Sequence, residues 1–421
     1  MLLLRVISAY ECRAILEIRQ ELRMQVFVNI KPAARVLAAG TALSLIFGSA
    51  AMAADANAVA ERIKALYAKQ GGELSFANVQ ANGSDIVLQG TKIKLPTVGE
   101  KETALGDVTL QNVQDAPDGG YSIEQVTVPD LAFAGEEDKN DKAEIKGLAM
   151  QNVHIPSETA KGPLNSMVMY DKLKIDEIQF GTPGTDGATV KGFDLSLDTS
   201  NKAEKIGYVW TIANIDATFE KGGKNPLAPL DMNTFNGSLN SKGSWSPTSG
   251  DTSLDQLELQ AEELGKINIT GSLGGYDLAF LEAVQKTQEN MSKADADKDA
   301  AGLAILGLAE QLNLKNLSIR FDNETLTQKL LDYYGKQQGA DGKQLGEQMK
   351  MMVPLMATQL KNPDFAQQLK AASDKFFDDP KSLTISASPD QPVTFASIVA
   401  TASLDPTKII QLLKVSVDAN N

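Results

Sequence analysis

Few side chains in this 421-residue sequence could do chemistry, because it holds one His and one Cys. His154 follows Asn152-Val153 and precedes Ile155-Pro156, at the expected end of a strand. A zinc site there would need further nitrogen or sulfur ligands. A serine–histidine triad would need a nucleophile on a strained elbow, and no Gly-x-Ser-x-Gly occurs. His154 therefore reads as a structural or surface residue. Asp295, Asp297 and Asp299 open like a calcium loop, but its sixth and twelfth positions are Ala300 and Leu306 instead of Gly and a bidentate Glu. A solvated linker is the simpler reading. The run Glu136-Glu137-Asp138-Lys139-Asn140-Asp141 reads as an exposed hairpin tip. Two carboxylates about 5 to 9.5 Å apart could cleave a glycosidic bond, yet only Trp210 and Trp245 could serve as indole platforms. No catalytic, cofactor-binding or metal-binding residue is expected.

The best candidate for recognition is apolar. Leu345, Met349, Met352, Val353, Met356 and Leu360 recur at helical spacing, with Met351 and Leu355 beside them. Methionine adapts its shape and recurs on surfaces that accept varied apolar partners. A helix laid on a sheet must also bury one such face as core. Met349, Met352, Val353, Met356 and Leu360 are the candidate ligand-binding residues, on a helix lying over a curved sheet with a lipid or other apolar molecule between. Pro354 lacks an N–H and is expected to bend or interrupt that helix.

The elements that must position these residues follow from hydrophobic period. After a helical opening, Asn57 to Gln70, the chain from Glu73 to Gly275 becomes short alternating segments separated by Gly, Pro, Asn and Asp. Period-two alternation without intervening helices predicts antiparallel strands with one face buried and one wet. An echo, Asn78-Val79, Asn112-Val113 and Asn152-Val153, has unequal spacing and suits a meander of similar hairpins. From Tyr276 helices dominate, at 278–290, 300–313, 324–338, 343–377 and 406–413, with strands at 314–322, 383–387 and 415–418. The expected class is α+β: a large antiparallel sheet over 54–275, then a mostly helical region over 276–421 whose strands extend or cover that sheet.

Residues 24–53 carry Lys31 and Arg35, a short apolar stretch from Val36 to Ser49, and Ala51-Met52-Ala53. This is the pattern of a cleaved secretory signal, and the stretch is shorter than the roughly 20 residues of a membrane span. Residues 1–23 fit neither a signal nor the rest of the chain, and Met24 is the expected start. The net charge is −14. Residues 1–53 hold six basic and three acidic side chains, so their removal leaves −17 and no Cys, with Arg62 and Arg320 the remaining arginines. Such a chain repels nucleic acid and anionic lipid headgroups.

The runs beginning Phe321-Asp-Asn-Glu-Thr-Leu, Asp379-Pro-Lys-Ser-Leu-Thr-Ile and Pro389-Asp-Gln-Pro-Val resemble uncharacterised exported proteins of alphaproteobacteria. Gly243-Ser-Trp-Ser-Pro and Gly271-Ser-Leu-Gly-Gly-Tyr are similar in texture to AsmA-like envelope proteins, although the membrane anchor of that group is missing. Neither resemblance carries functional residues. The export signal, the sheet-forming pattern, the missing catalytic groups and the Met-rich helix lead to the expectation of a periplasmic, non-enzymatic cell-envelope protein that binds a lipid or other apolar ligand or an envelope partner, without a cofactor, nucleic acid or a membrane span after cleavage. The alternatives are a carboxylate-dependent hydrolase of envelope polysaccharide and a scaffold that recruits partner strands to its sheet edges.

Overall fold

The computed structural model describes residues 54–69, 72–94, 102–134, 142–182, 186–219, 225–291 and 298–421. The expected leader and signal with Cys12, the Glu136–Asp141 run, Asp295 and Asp297 lie outside these residues, as does the side chain of Asp299. The class is α+β as expected: nineteen strands are described, every registered pair is antiparallel, and helices concentrate toward the C-terminus. The chain divides into two compact units. The first runs to Thr159 and adds Val168–Tyr170 and the chain from Ile175 to Thr182; the second takes Ala160–Met167, Asp171–Lys174 and the remainder to Asn421.

The first unit opens with α1 (Ala56–Lys69), whose Val59, Ile63 and Leu66 are buried at i, i+4 and i+7. Strands β1 (Glu73–Ser75) and β2 (Asn78–Asn82) both pair with β3 (Asp85–Lys94), which pairs with β4 (Thr103–Gln111). Strands β5 (Gln114–Asp115) and β6 (Tyr121–Thr127) follow, then β7 (Leu131–Ala134), β8 (Lys142–Lys146) and β9 (Ala149–Ile155). β6 lies between β4 and β9. Ile86, Leu110, Val126 and Met150 stand directly opposite one another across β3, β4, β6 and β9, at 0–2% exposure. Arg62 of α1 is buried and donates from Nε to Pro156 O at 2.8 Å and from an Nη to Ser157 O at 2.6 Å. These bonds satisfy both carbonyls just beyond β9 and fix α1 there.

A four-residue helix, α2 (Pro163–Ser166), and β10 (Lys172–Thr182) connect to the long strands of the second unit. These are β11 (Asp186–Asn201), β12 (Lys205–Thr218), β13 (Thr234–Trp245), β14 (Thr252–Ala261) and β15 (Gly265–Gly274), each paired with the next. Helices α3 (Leu278–Met291) and α4 (Lys298–Gln311) precede β16 (Asn313–Asn323). Then come α5 (Leu326–Gln337), α6 (Gly342–Ala357), α7 (Pro363–Asp378), β17 (Ser382–Ala387), β18 (Val393–Thr394), α8 (Phe395–Leu404), α9 (Ile409–Leu412) and β19 (Val415–Ala419).

The two regions that meet at 275/276 share strands of one ladder. β15 and β16 pair from Gly265↔Asn323 to Gly274↔Asn313, so the residues on either side of 275 share one ladder. β17 and β19 prolong it. The change of period at Tyr276 marks helices inserted between strands of one unit, and the later strands extend its sheet.

Candidate functional site

Register places the apolar residues of the second unit in rows. Directly opposed residues of antiparallel strands share a face. One row reads Phe193, Ile212, Leu239, Leu259, Ile267, Phe321, Leu383, Ala419; the next reads Leu195, Trp210, Ser241, Leu257, Ile269, Ile319, Ile385, Val417. A third reads Leu197, Tyr208, Gly243, Leu254, Gly271, Leu317, Ala387, Val415. Bulges in β12–β13, β13–β14, β14–β15 and β15–β16 leave all three rows unbroken. No charged side chain occurs in them. The opposite face carries Asp194, Thr211, Asn240, Glu258, Asn268, Arg320, Thr384 and Asp418 in the intervening row, polar at every strand. At about 4.8 Å per strand, eight strands make each row roughly 34 Å long.

Helices cover the apolar face at both strand ends and, at β19, also over Val417 of the middle row, but leave that row open at β16 and β17. At one end Ala372 and Phe376 of α7 pack with Val417 and Ala419, together with Phe321 and Leu383. α5 packs on α6, α6 on α7, and α5 also meets the turn Ala228–Leu230 between β12 and β13. At the other end Leu413 packs with Leu314 and Ala387, joined by Leu273, Leu317, Ile398 of α8, and Ile409 and Leu412 of α9. Trp245 closes this end at β13: its Nε1 donates to Tyr276 O at 2.5 Å, and Tyr276 stacks against Phe280 of α3. Between the two clusters, Ile319 is 39% and Ile385 46% exposed, with Ile267 at 38% and Leu259 at 36%. Trp210, Leu239, Leu257 and Ile269 are half-buried. The result is a trough across the strands, with an aliphatic floor and helical walls.

The helix expected to carry the ligand stripe packs between α5 and α7, and it is α7 that meets the sheet. α6 starts with a capping box, in which the Asp341 side chain accepts from Gln344 N at 2.7 Å and Gln344 Oε1 accepts from Asp341 N at 3.0 Å. Lys350 bonds Asp378 of α7 at 2.6 Å and Glu347 at 2.7 Å, and both carboxylates push its pKa up. The helix continues through Pro354 to Ala357, correcting the expected interruption. The five candidate residues do not share one environment. Met349, Val353 and Leu360 are half-buried, whereas Met352 and Met356 are 50% and 55% exposed, beside exposed Met351 and Leu355. The buried side of α6 is instead Leu345, Gly346 and Ala357. Leu360 lies beyond α6, in a short 3₁₀ turn.

His154 lies on β9 with Nε2 2.7 Å from Asp118 Oδ2, and its backbone pairs with Met169. Asp118 also accepts the N–H of Gly120, so the pair fastens the turn before β6 to β9. Among the described residues, no three His, Cys, Asp or Glu side chains converge as a metal site. No described helix is long and apolar enough to cross a membrane. The floor of the trough was missed by sequence reasoning, although its strands other than β13 were visible there as period-two alternation; β13 alternates Gly237, Ser241 and Gly243 with polar residues and was not singled out.

A family model described as "Uncharacterized protein" matches residues 258–420. That stretch runs from β14 through β19, across residue 275, and includes the helices at both ends of the trough. No curated protein matches the chain.

Proposed function

We propose that the chain is an exported, non-enzymatic protein of the cell envelope, working in the periplasm, that binds a lipid or similarly elongated apolar ligand along the trough of its second unit. The observation that carries this reading is the central row. Ile319 and Ile385 stay 39% and 46% exposed in the middle of a face whose three rows hold no charge. Exposed contiguous apolar surface of this kind marks a binding site in a soluble protein. The floor is long and narrow, roughly 29 Å over the seven strands from β11 to β17, about twice the ~15 Å that one acyl chain occupies in a bilayer leaflet. Chains fit that outline better than compact ring systems do. A flat protein surface resting on the walls would stand off the floor by about 10 Å, the thickness of a helix.

Trp210 sits in the central row and makes the test direct. Brominated fatty acids should quench its fluorescence, and Trp210→Phe should remove that response. Ile319→Asn should weaken binding about tenfold, the equivalent of ~1.4 kcal/mol of lost apolar contact. Absence of quenching at every chain length would refute the reading.

A further inference from the structure

Two helices near one end of the trough expose large apolar side chains to water. α4 and α8 contact each other. On α4, Leu303, Ile305 and Leu306 are 72%, 51% and 50% exposed, while Ala304 and Ala309 are half-buried. On α8, Val399 and Leu404 are 58% and 88% exposed, while Ala396 is buried. Both helices have an apolar inner side, with Leu308 half-buried on α4 and Ile398 half-buried on α8, and they expose further large apolar side chains where a surface helix carries polar ones. Residues 300–309 and 395–404 contain no charged side chain, although 22% of the chain is charged.

We infer that the outer faces of α4 and α8 insert into the headgroup–acyl boundary of an uncharged lipid bilayer. This inference rests on the apolar-ligand reading and adds to it the surface from which the ligand is taken or to which it is delivered. Several observations favour a bilayer over a protein partner. The two faces offer no Arg, Tyr or Trp, the residues that anchor protein interfaces. With 14 residues, α4 is about 21 Å long, too short for the ~30 Å hydrocarbon core and suited to lying in the interface. The net charge of −14 excludes attraction to anionic headgroups, so insertion of apolar side chains has to supply the affinity. Finally, α8 is continuous with the trough: Ile398 on its inner side packs with Leu314 and Ala387 in the wall cluster.

An environment-sensitive fluorophore on Ala402→Cys, in the full chain with Cys12→Ser, reads the surroundings of α8 directly. Phosphatidylcholine vesicles should shift its emission to the blue and brighten it about threefold or more, the response of a group entering the boundary region. Adding phosphatidylglycerol should not strengthen the response. The same fluorophore on Lys343→Cys, at the exposed start of α6, should not respond. Leu303→Asp with Leu404→Asp should abolish the response while leaving the quenching of Trp210 by soluble brominated chains intact. An unresponsive position 402, an equal response at 343, or a response that survives the double variant would overturn the inference. So would strict dependence on phosphatidylglycerol, or a response that grows with protein concentration without vesicles, which would mark a second copy as the partner. Docking without Trp210 quenching would remove the ligand reading on which the inference rests; quenching without docking would remove the inference alone.

Discussion

The two units use the same device to opposite ends. In the first, Ile86, Leu110, Val126 and Met150 form a registered aliphatic row across β3, β4, β6 and β9, and all four are 0–2% exposed. In the second, Leu257, Ile269, Ile319 and Ile385 form an equivalent row across β14 to β17, and its last two members are 39% and 46% exposed. All eleven of the largest fully buried side chains belong to the first unit. Cross-strand pairing is alike in both, so pairing does not decide what a sheet face does. Cover decides it. One face has been made into a core, and the other is held open between two groups of helices.

The largest effect expected from this contrast is in stability. Leu110→Ala in the closed row should cost about 3–4 kcal/mol, the transfer free energy plus an unfilled cavity. Ile319→Ala in the open row should cost about 1 kcal/mol, because much of the side chain already faces water and no cavity forms. Both tryptophans belong to the second unit. Urea titration followed by tryptophan fluorescence therefore reports that unit, while far-ultraviolet dichroism reports both. Leu110→Ala should separate the two curves, and equal costs at the two positions would break the comparison.

The same contrast explains what was legible in the sequence. Alternation marks which residues share a face, so most strands, the antiparallel class and the polar reverse side were readable, whereas β13, with Gly237, Ser241 and Gly243 on its apolar-row face, was not. The Asn echo was readable too, and two of its copies have a common cause: Asn112 and Asn152 adopt φ of 50°, and Val113 and Val153 follow at 0% exposure. A left-handed residue that tolerates this conformation turns the next valine into the core. Alternation does not say whether anything lies over a face, and the strands of the two units read alike. The α6 stripe shows a related limit of pattern: its Leu345 is buried while Met352 and Met356 are exposed. That helix packs between α5 and α7, and its other buried residues are Gly342, Gly346 and Ala357, small residues that a search for large apolar side chains passes over.

A smaller effect should appear in alkali. Burial pushes the Tyr67 phenol up to about 12, and burial also raises Tyr121 and Tyr170. All three belong to the first unit. In the unfolded chain a tyrosine ionises near 10. Between about pH 10 and 12 the unfolded state therefore holds fewer protons than the folded one, and stability falls as pH rises. It is fully present below 10. The urea midpoint seen by dichroism should drop through this window, and Tyr67→Phe should flatten the drop. A tryptophan signal that falls first would reverse the order of the two units.

The smallest expected effect is the most discriminating. Ile319→Thr with Ile385→Thr keeps the β-branched shape that suits a strand and replaces exposed methyl surface with a hydroxyl that water can solvate. If the trough is open in the free protein, the pair should shift stability by no more than about 1 kcal/mol. Binding of a brominated chain should nevertheless fall about tenfold or more, because the ligand loses apolar contact at both positions. A loss of stability above about 2 kcal/mol would instead mean that the row is covered and belongs to the core. Folding alone gives little reason to keep isoleucine at two half-exposed positions flanked by helices that could have closed over them; a chain-shaped apolar ligand does.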